Sequence, residues 1–344
     1  MVLYNEKGGA RDVIIRFACP DETPELIGLL KKQHGTGYYP QLYDEGFVHN
    51  AIQSGDLQCA IAKFSSGNLA GMAGANRKNV FPGSLAFGML VVIPDMRGFG
   101  LGTALHAFLV ESIPLETYSS IYIHSMTLDT RSQVICYNWG YRKTGILLNG
   151  YLNDAKAKYM AGLLLPLKDA LLVGCLPQAK KDAGILYAPF AYAAFIKNVY
   201  TALGVSFLLS EQGEGEPAGL ETVCTVSQDD MHQYCEIFVQ QAGLDFEEII
   251  AGALRRYAAS EWQTFNIFIN LNDSSNASVF PVLDSRGFFF TGIHPLAGQY
   301  EYMIMHYSSS LPVNFETIAV VPDFQEKLNF IQTKYKEAQL VRQN

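Results

Sequence analysis

The stretch richest in chemistry is MLVVIPDMRGFGLGTALHAFL, residues 89–109. An apolar run closes at Pro94. Arg97-Gly98-Phe99-Gly100-Leu101-Gly102 follows, and apolar residues at helical spacing come next. Glycines let a backbone turn tightly and approach a ligand closely. The first-turn amides of a helix have no partner inside it, and the helix dipole adds to their pull on an anion. A strand, a glycine turn and a helix start are therefore suited to a phosphate or pyrophosphate. The glycines exclude two common versions of that site. No lysine of the P-loop kind is present, so nucleoside-triphosphate hydrolysis is not indicated. Gly98, Gly100 and Gly102 give G-x-G-x-G, not the G-x-G-x-x-G of dinucleotide binders.

Other reactive residues are scattered. Six cysteines (Cys19, Cys59, Cys136, Cys175, Cys224, Cys235) show no C-x-x-C spacing and read as free thiols, which points to the cytoplasm. The seven histidines form no H-x-H or H-x-x-x-H pair, so no metal site is expected. Tyr38, Tyr39 and Tyr43 read equally as pocket-lining or packing aromatics. Asp129 or Thr130 reads as the cap of the helix that begins near Arg131.

The elements that must position the glycine turn follow from the pattern of apolar residues. VIIRFA (13–18) reads as a strand. Thr23-Pro24-Glu25 reads as a helix start running to about His34, and a second helix falls around 42–55. Three strands follow in succession, LQCAIAKF, LAGMAGA and 84–94. After the glycine turn come a helix to Pro114, strand 120–128, helix RSQVICYNW, and strands YRKTGILL and KYMAGLLLPL. The order β-α-α-β-β-β-α-β-α-β-β predicts a mixed α/β sheet with helices on its faces.

The chain has 344 residues, half of them hydrophobic and 17% charged, which suffices for about two domains with real cores. Its net charge of −8 argues against binding nucleic acid through phosphates. The start MVLYNEKGGARDV has no apolar run, so no signal peptide is expected, and the most apolar stretch (161–177) is too interrupted to span a bilayer, so no membrane role is expected. Residues 171–187 read as a connector. Beyond it come a helix over 191–204, a polar loop over 211–217, helices near 229–243 and 246–260, and a strand over 265–272. Residues 121–146 and 267–293 echo each other: both read strand, polar loop, helix, aromatic-glycine turn, strand. Thr144-Gly145-Ile146 corresponds to Thr291-Gly292-Ile293. This predicts a duplicated half-domain.

The segment Arg97–Gly102, preceded by Val91 and Pro94, resembles motif A of the GNAT superfamily of acyl-CoA-dependent N-acetyltransferases. That pattern is [R/Q]-x-x-G-x-[G/A] after a strand ending V-x-x-P, and Arg97, Gly100 and Gly102 fill it. The resemblance covers roughly residues 10–170. It implies a GNAT domain over 1–170, a linker over 171–187 and a degenerate GNAT-like repeat over 188–344 whose glycine loop is missing. It implies an acetyltransferase that uses acetyl-CoA as cosubstrate, without a metal. The acceptor would be a small-molecule or peptide amine attacking directly in a ternary complex. A non-catalytic acyl-CoA-binding or interaction module is the alternative.

Carried over residue by residue, the resemblance gives Arg97, Gly98, Phe99, Gly100, Leu101, Gly102 and Thr103 the CoA pyrophosphate, with no room for a side chain at Gly100. Met89, Leu90, Val91 and Val92 would pair with pantetheine. The proton chemistry departs from the pattern. The position of the family's general-acid tyrosine is Cys136, with Tyr137 one residue later, so the acid is Tyr137, Cys136 or neither. Strand 84–93 lacks the carboxylate that many relatives use as base. His124 on strand 120–128 is its best substitute, because imidazole titrates near neutrality; a water relay is the other. The sequence leaves the oligomeric state open.

Overall fold

The structure, a computed structural model, describes residues 1–5, 8–35, 39–152, 168–210, 216–217, 219–229, 234–258, 264–308 and 311–343. These fall into two compact units, one of residues 1–123 and the other of residues 124–152 with 168 onward.

In the first unit Val2–Tyr4 (β1) and Ala10–Asp12 (β2) pair as a small antiparallel ribbon. The main sheet runs Ile14–Phe17 (β3), Leu57–Lys63 (β4), Leu69–Asn76 (β5), Leu85–Val92 (β6) and Ser120–Met126 (β7), whose last residues belong to the second unit. Neighbours are antiparallel except β6 and β7. A parallel pair needs a crossover, and Leu101–Ser112 (α3) supplies it. Thr23–His34 (α1) and Glu45–Ser54 (α2) complete the unit. The start of α1 follows its sequence. Pro24 occupies the first turn, Glu25 favours the positive end of the dipole, and Lys31, Lys32 and His34 sit at the negative end. Leu26, Ile27, Leu29 and Leu30 are its buried residues, and Leu26, Leu29 and Leu30 share a core with Ile61, Met72 and Val91.

The second unit contains Arg131–Asn138 (α4), Arg142–Leu152 (β8), Lys168–Pro177 (β9), Asp182–Tyr187 (β10), Ala193–Leu203 (α5), Ser206–Ser210 (β11), Val223–Asp229 (β12), Tyr234–Gln241 (β13), Phe246–Ala258 (α6), Thr264–Asn270 (β14), Val279–Ser285 (α7), Phe289–Ala297 (β15), Tyr300–Tyr307 (β16) and Pro322–Gln343 (α8). Its sheet has the order β9-β8-β15-β16-β14-β13-β12. β10 and β11 form a separate parallel pair. Every residue of β14 and β15 is buried, as expected of strands covered on both faces.

Several expectations change. Within the helix expected over 229–243, the described residues 234–241 are a strand: YCEIFVQQ is β13, whose buried Ile237, Phe238 and Val239 lie between β12 and β14. A β-branched and aromatic run held between two strands prefers the pleated surface. Residues 171–187 are mostly β9 and β10 rather than a connector. Leu171, Leu172, Val173 and Cys175 fill the core while Gln178, Lys180 and Lys181 make the turn. The strand expected over 158–167 lies outside the described residues, as do Tyr38 and most of the loop 211–217.

Segments 121–146 and 267–293 both fold as strand, helix, strand. Their helices stop identically. Gly140 donates to Tyr137 O and Tyr141 to Cys136 O; Gly287 donates to Asp284 O and Phe288 to Leu283 O. Both glycines are left-handed, with φ of +95° and +79°. Five residues past Thr144 and Thr291 stand Asn149 and Leu296, non-glycine residues with φ of +48° and +53°. β8 and β15 then meet at Gly145 and Gly292. A Cβ on Gly292 would lie 2.2 Å from Gly145 Cα and 2.9 Å from Thr144 O, at φ +133°.

Gly292→Ala is therefore expected to lose about 3 kcal/mol or more, combining overpacking with backbone strain. Gly28→Ala, on an exposed face of α1 with nothing within 4 Å, should be neutral or stabilising. Urea unfolding of both variants checks this. A Gly292→Ala protein within about 0.5 kcal/mol of wild type would show that the two strands do not approach this closely.

Candidate functional site

The glycine turn lies between β6 and α3. Met96, Phe99 and Leu101 point inward and are buried, while Arg97, Gly98, Gly100 and Thr103 are exposed. Gly98 and Gly100 have φ of +80° and +72°, a region that costs other L-residues about 1–2 kcal/mol. A Cβ at either would meet nothing within 4 Å. The glycine at 100 thus answers to the backbone conformation; the crowding expected there is absent from the protein alone.

This path has one chemical consequence. Met96, Arg97 and Phe99 donate back to Ile93, Pro94 and Met96, and Ala104 donates to Gly100 O. Among the described residues, the amides of Gly98, Gly100, Leu101, Gly102 and Thr103 have no hydrogen-bond partner. Five open amides at a helix N-terminus form a concave donor set for an anion. Arg97 stands beside them, its Nη2 donating to Gln33 Oε1 in the last turn of α1 at 3.3 Å.

The strand before the turn is irregular. Gly88 pairs with Gly74 and Val91 with Met72, so β6 carries one extra residue across this interval. Met89 sits in the bulge with φ +52° and is buried. The ladder with β7 covers Leu85–Phe87 opposite Ile121–Ile123, and the bulge begins just beyond it. Leu90 is exposed at 36% while Val92 is part-buried, so Met89, Leu90, Val91 and Val92 do not share one environment.

In the second unit the structure separates the two candidate acids. Cys136 is buried with Sγ 3.6 Å from Ser125 Oγ, and burial raises its thiol. Tyr137 is exposed, with the Arg142 guanidinium 4.7 Å from its ring centre. One helical residue is about 100°, and that rotation sends the phenol outward. His124 lies on β7, edge-on to His294 with ring centres 6.3 Å apart. Burial lowers His124 to about 4 and lowers His294 further, the neighbouring imidazole adding to the effect. His124 is therefore neutral at ordinary pH, able to accept a proton but a weak base. Asp129 accepts from the Arg131 amide at 2.9 Å and pairs with its guanidinium, as a cap should. His294 and the bulge at Met89 escaped the sequence reading: an edge contact between distant strands and an extra residue in a strand leave no local pattern.

In the second unit the loop that leads from β13 into α6 is bonded to the chain itself. Gly243 donates to Thr222 Oγ1, Leu244 to Gly219 O and Asp245 to Leu220 O, while Asp245 Oδ1 accepts from the Thr222 amide. A Cβ on Gly243 would lie 2.3 Å from Glu221 C. Residues 219–222 thus occupy the amides just before α6.

Residues 24–136 match the sequence model of the acetyltransferase (GNAT) family. These residues are a GNAT acetyltransferase domain. The match contains α1, the bulged strand β6, the glycine turn, α3, β7 and α4 as far as Cys136. No curated protein matches the sequence significantly. Solved structures similar to about half of the chain include Arabidopsis thaliana NAA60 in complex with a bisubstrate analogue, at 16% identity, 48% of this chain, 98% of that one and a TM-score of 0.39. An N-acetyltransferase from Staphylococcus aureus Mu50 has 14%, 48%, 98% and 0.40. The spermidine/spermine N-acetyltransferase SpeG from Vibrio cholerae has 14%, 49%, 96% and 0.38. Among the described residues no helix is long and apolar enough to cross a membrane, and no three His, Cys, Asp or Glu side chains gather as a metal site would require.

The buried imidazoles generate a pH dependence. His106 and His124 are held at about 4 and His306 at about 3, all by burial. Folded values below the unfolded 6.5 mean that the unfolded chain binds more protons in between. Their stabilisation is complete above pH 6.5 and is lost as pH falls through 4 and 3. A displacement to about 4 corresponds to on the order of 3 kcal/mol. Asp284, raised to about 6 by burial, and Glu301, also raised by burial, work the other way, two carboxyls against the four lowered imidazoles. Urea midpoints should fall steadily from pH 7 to pH 4.5, and less steeply in His124→Phe. A midpoint that rises over this range would contradict these burials.

Proposed function

We propose that this protein is an acyl-CoA-dependent N-acetyltransferase acting in the cytoplasm. Acetyl-CoA is its donor, and a small-molecule or peptide amine is its acceptor. The observation that carries this reading is the set of five open amides at the start of α3, inside the matched GNAT domain. In this reading the amides from Gly98 to Thr103 hold the pyrophosphate, and Arg97 adds charge beside them. The irregular edge of β6 from Met89 to Val92 receives the pantetheine arm. The amine attacks the thioester carbonyl directly; its proton goes to His124 or to water. The departing thiolate takes a proton from Cys136, from Tyr137 or from solvent. Binding both substrates together makes attack effectively intramolecular, which supplies the larger share of the acceleration.

The second half, 188–344, reads as a degenerate copy of the first, 1–170. The parallel pair β13–β14 crossed by α6 supports this, as do the matched helix stops and the matched left-handed residues. The bonded loop before α6 leaves it without a donor site, so the protein should bind one CoA per chain. The absence of a carboxylate on β6 and the outward turn of Tyr137 favour a second reading, a module that binds acyl-CoA without turnover.

Calorimetric titration of CoA tests the donor site. Wild type should bind with a stoichiometry of one. Gly100→Glu places a carboxylate among the amides at a left-handed position and should lose more than tenfold in affinity, about 1.4 kcal/mol, with its circular dichroism unchanged. A folded variant that binds as well as wild type would refute the assignment.

Acetyl-CoA consumption against an amine panel separates enzyme from module. In the enzyme, His124→Ala tests the base: about 10²–10⁴-fold in rate is expected, with CoA affinity kept. A retained rate with a lowered melting temperature would make His124 a packing residue.

A further inference from the structure

Five amides carry partial charges only, yet the ligand proposed for them carries three phosphate groups. The pyrophosphate fits the amide cradle. The remaining ribose 3′-phosphate has a charge of roughly −1.5 to −2 at neutral pH, as phosphate monoesters do, and lies outside it. In a chain of net charge −8, holding that group requires a dedicated cation.

The first unit fixes one to the turn. Phe99, between the two left-handed glycines, is buried at 7% exposure, and the Arg11 guanidinium lies over its ring, 5.3 Å from the centre. Arg11 belongs to β2, far away in sequence, and an aromatic face holds a guanidinium without consuming its charge. Its Nη1 donates to the neighbouring Ala10 carbonyl, and among the described residues no carboxylate pairs with it. Two other cations of the unit are neutralised, Arg16 by Glu22 and Lys63 by Glu22 and Glu25. Arg97, also at the turn, is directed to Gln33. Arg11 is thus an exposed, uncompensated, planar cation anchored to the cradle by packing, with donors left for a phosphate fork.

We propose that Arg11 recognises the ribose 3′-phosphate of the donor, so that this site selects CoA thioesters over their 3′-dephospho counterparts. The proposal rests on the donor-site reading above and adds to it a residue that no glycine motif contains.

Calorimetric titration of CoA and of 3′-dephospho-CoA into the full chain tests it, with Arg11→Gln and Arg11→Lys as variants and circular dichroism as the folding control. Wild type should prefer CoA by about tenfold or more, the usual worth of a charge-assisted hydrogen bond. Arg11→Gln should lose that preference by weakening CoA alone, with dephospho-CoA unchanged. Arg11→Lys, which keeps the charge but not the planar fork, should keep part of it. Added salt should shrink the preference in wild type. Equal binding of both ligands by wild type would overturn the proposal. So would an Arg11→Gln protein that weakens both alike, since the guanidinium would then serve the pyrophosphate. If wild type binds neither, the donor-site reading itself falls.

Discussion

The amides at the start of a helix must be hydrogen-bonded by something, and the two halves of this chain answer that requirement in opposite ways. Before α3, Gly98 and Gly100 take left-handed conformations that turn the backbone away from its own acceptors, leaving five amides open. Before α6, the carbonyls of Gly219 and Leu220 and the hydroxyl of Thr222 occupy the amides of Leu244, Asp245 and Gly243. The first arrangement is costly unless water or a ligand completes it. The second is closed in the loop just before the helix, and Glu247 and Glu248 place carboxylates in its first turn. A helix that closes its own N-terminus gains stability and gives up the capacity to bind an anion there, and a helix that leaves it open does the reverse.

The irregularities of β6 belong to the same economy of backbone groups. A regular strand would spend its amides and carbonyls on both neighbours. The extra residue at Met89 forces one buried side chain into a left-handed conformation, just where the ladder with β7 has ended. Such positions persist only where the surroundings hold them. Met89 is held by the core it shares with Leu26, Met72 and Val91. Local strain thus sits next to the open amides, on the strand that leads into them.

The order of elements through α4 was legible because each carries a local signature: Pro24 and Glu25 opening α1, Pro94 closing β6, the glycines opening α3, and the glycine stops after α4 and α7. The glycine turn was legible for the same reason. What escaped depends on distant partners. β13 reads as helical when taken alone, and only its burial between β12 and β14 makes YCEIFVQQ a strand. β9 was hidden because its lysine, glycine and proline resemble a connector, although Lys168 and Asp169 are buried. His294 and Arg11 acquire meaning only from His124 and Phe99, which no spacing rule connects to them.

The displaced tyrosine follows from what the buried face of α4 does. Gln133 donates to Met126 O, Asp129 O and Ala319 O and accepts from the Val321 amide, tying the helix to the strand before it and to the segment leading into α8. Cys136, one turn on, packs against Ser125. With these two residues committed inward, the neighbouring Tyr137 must face out, where Arg142 covers its ring. An acyltransferase can tolerate that loss more readily than the loss of its donor loop. A thiol loses its proton near pH 8.5, so the thiolate that leaves a thioester is already close to stable at neutral pH and gains little from a proton donor. Positioning has no such substitute in solvent. The residues kept in this domain, the open glycine turn and the irregular strand before it, are those that would position a donor, and the residue turned outward is the one whose chemistry water can replace.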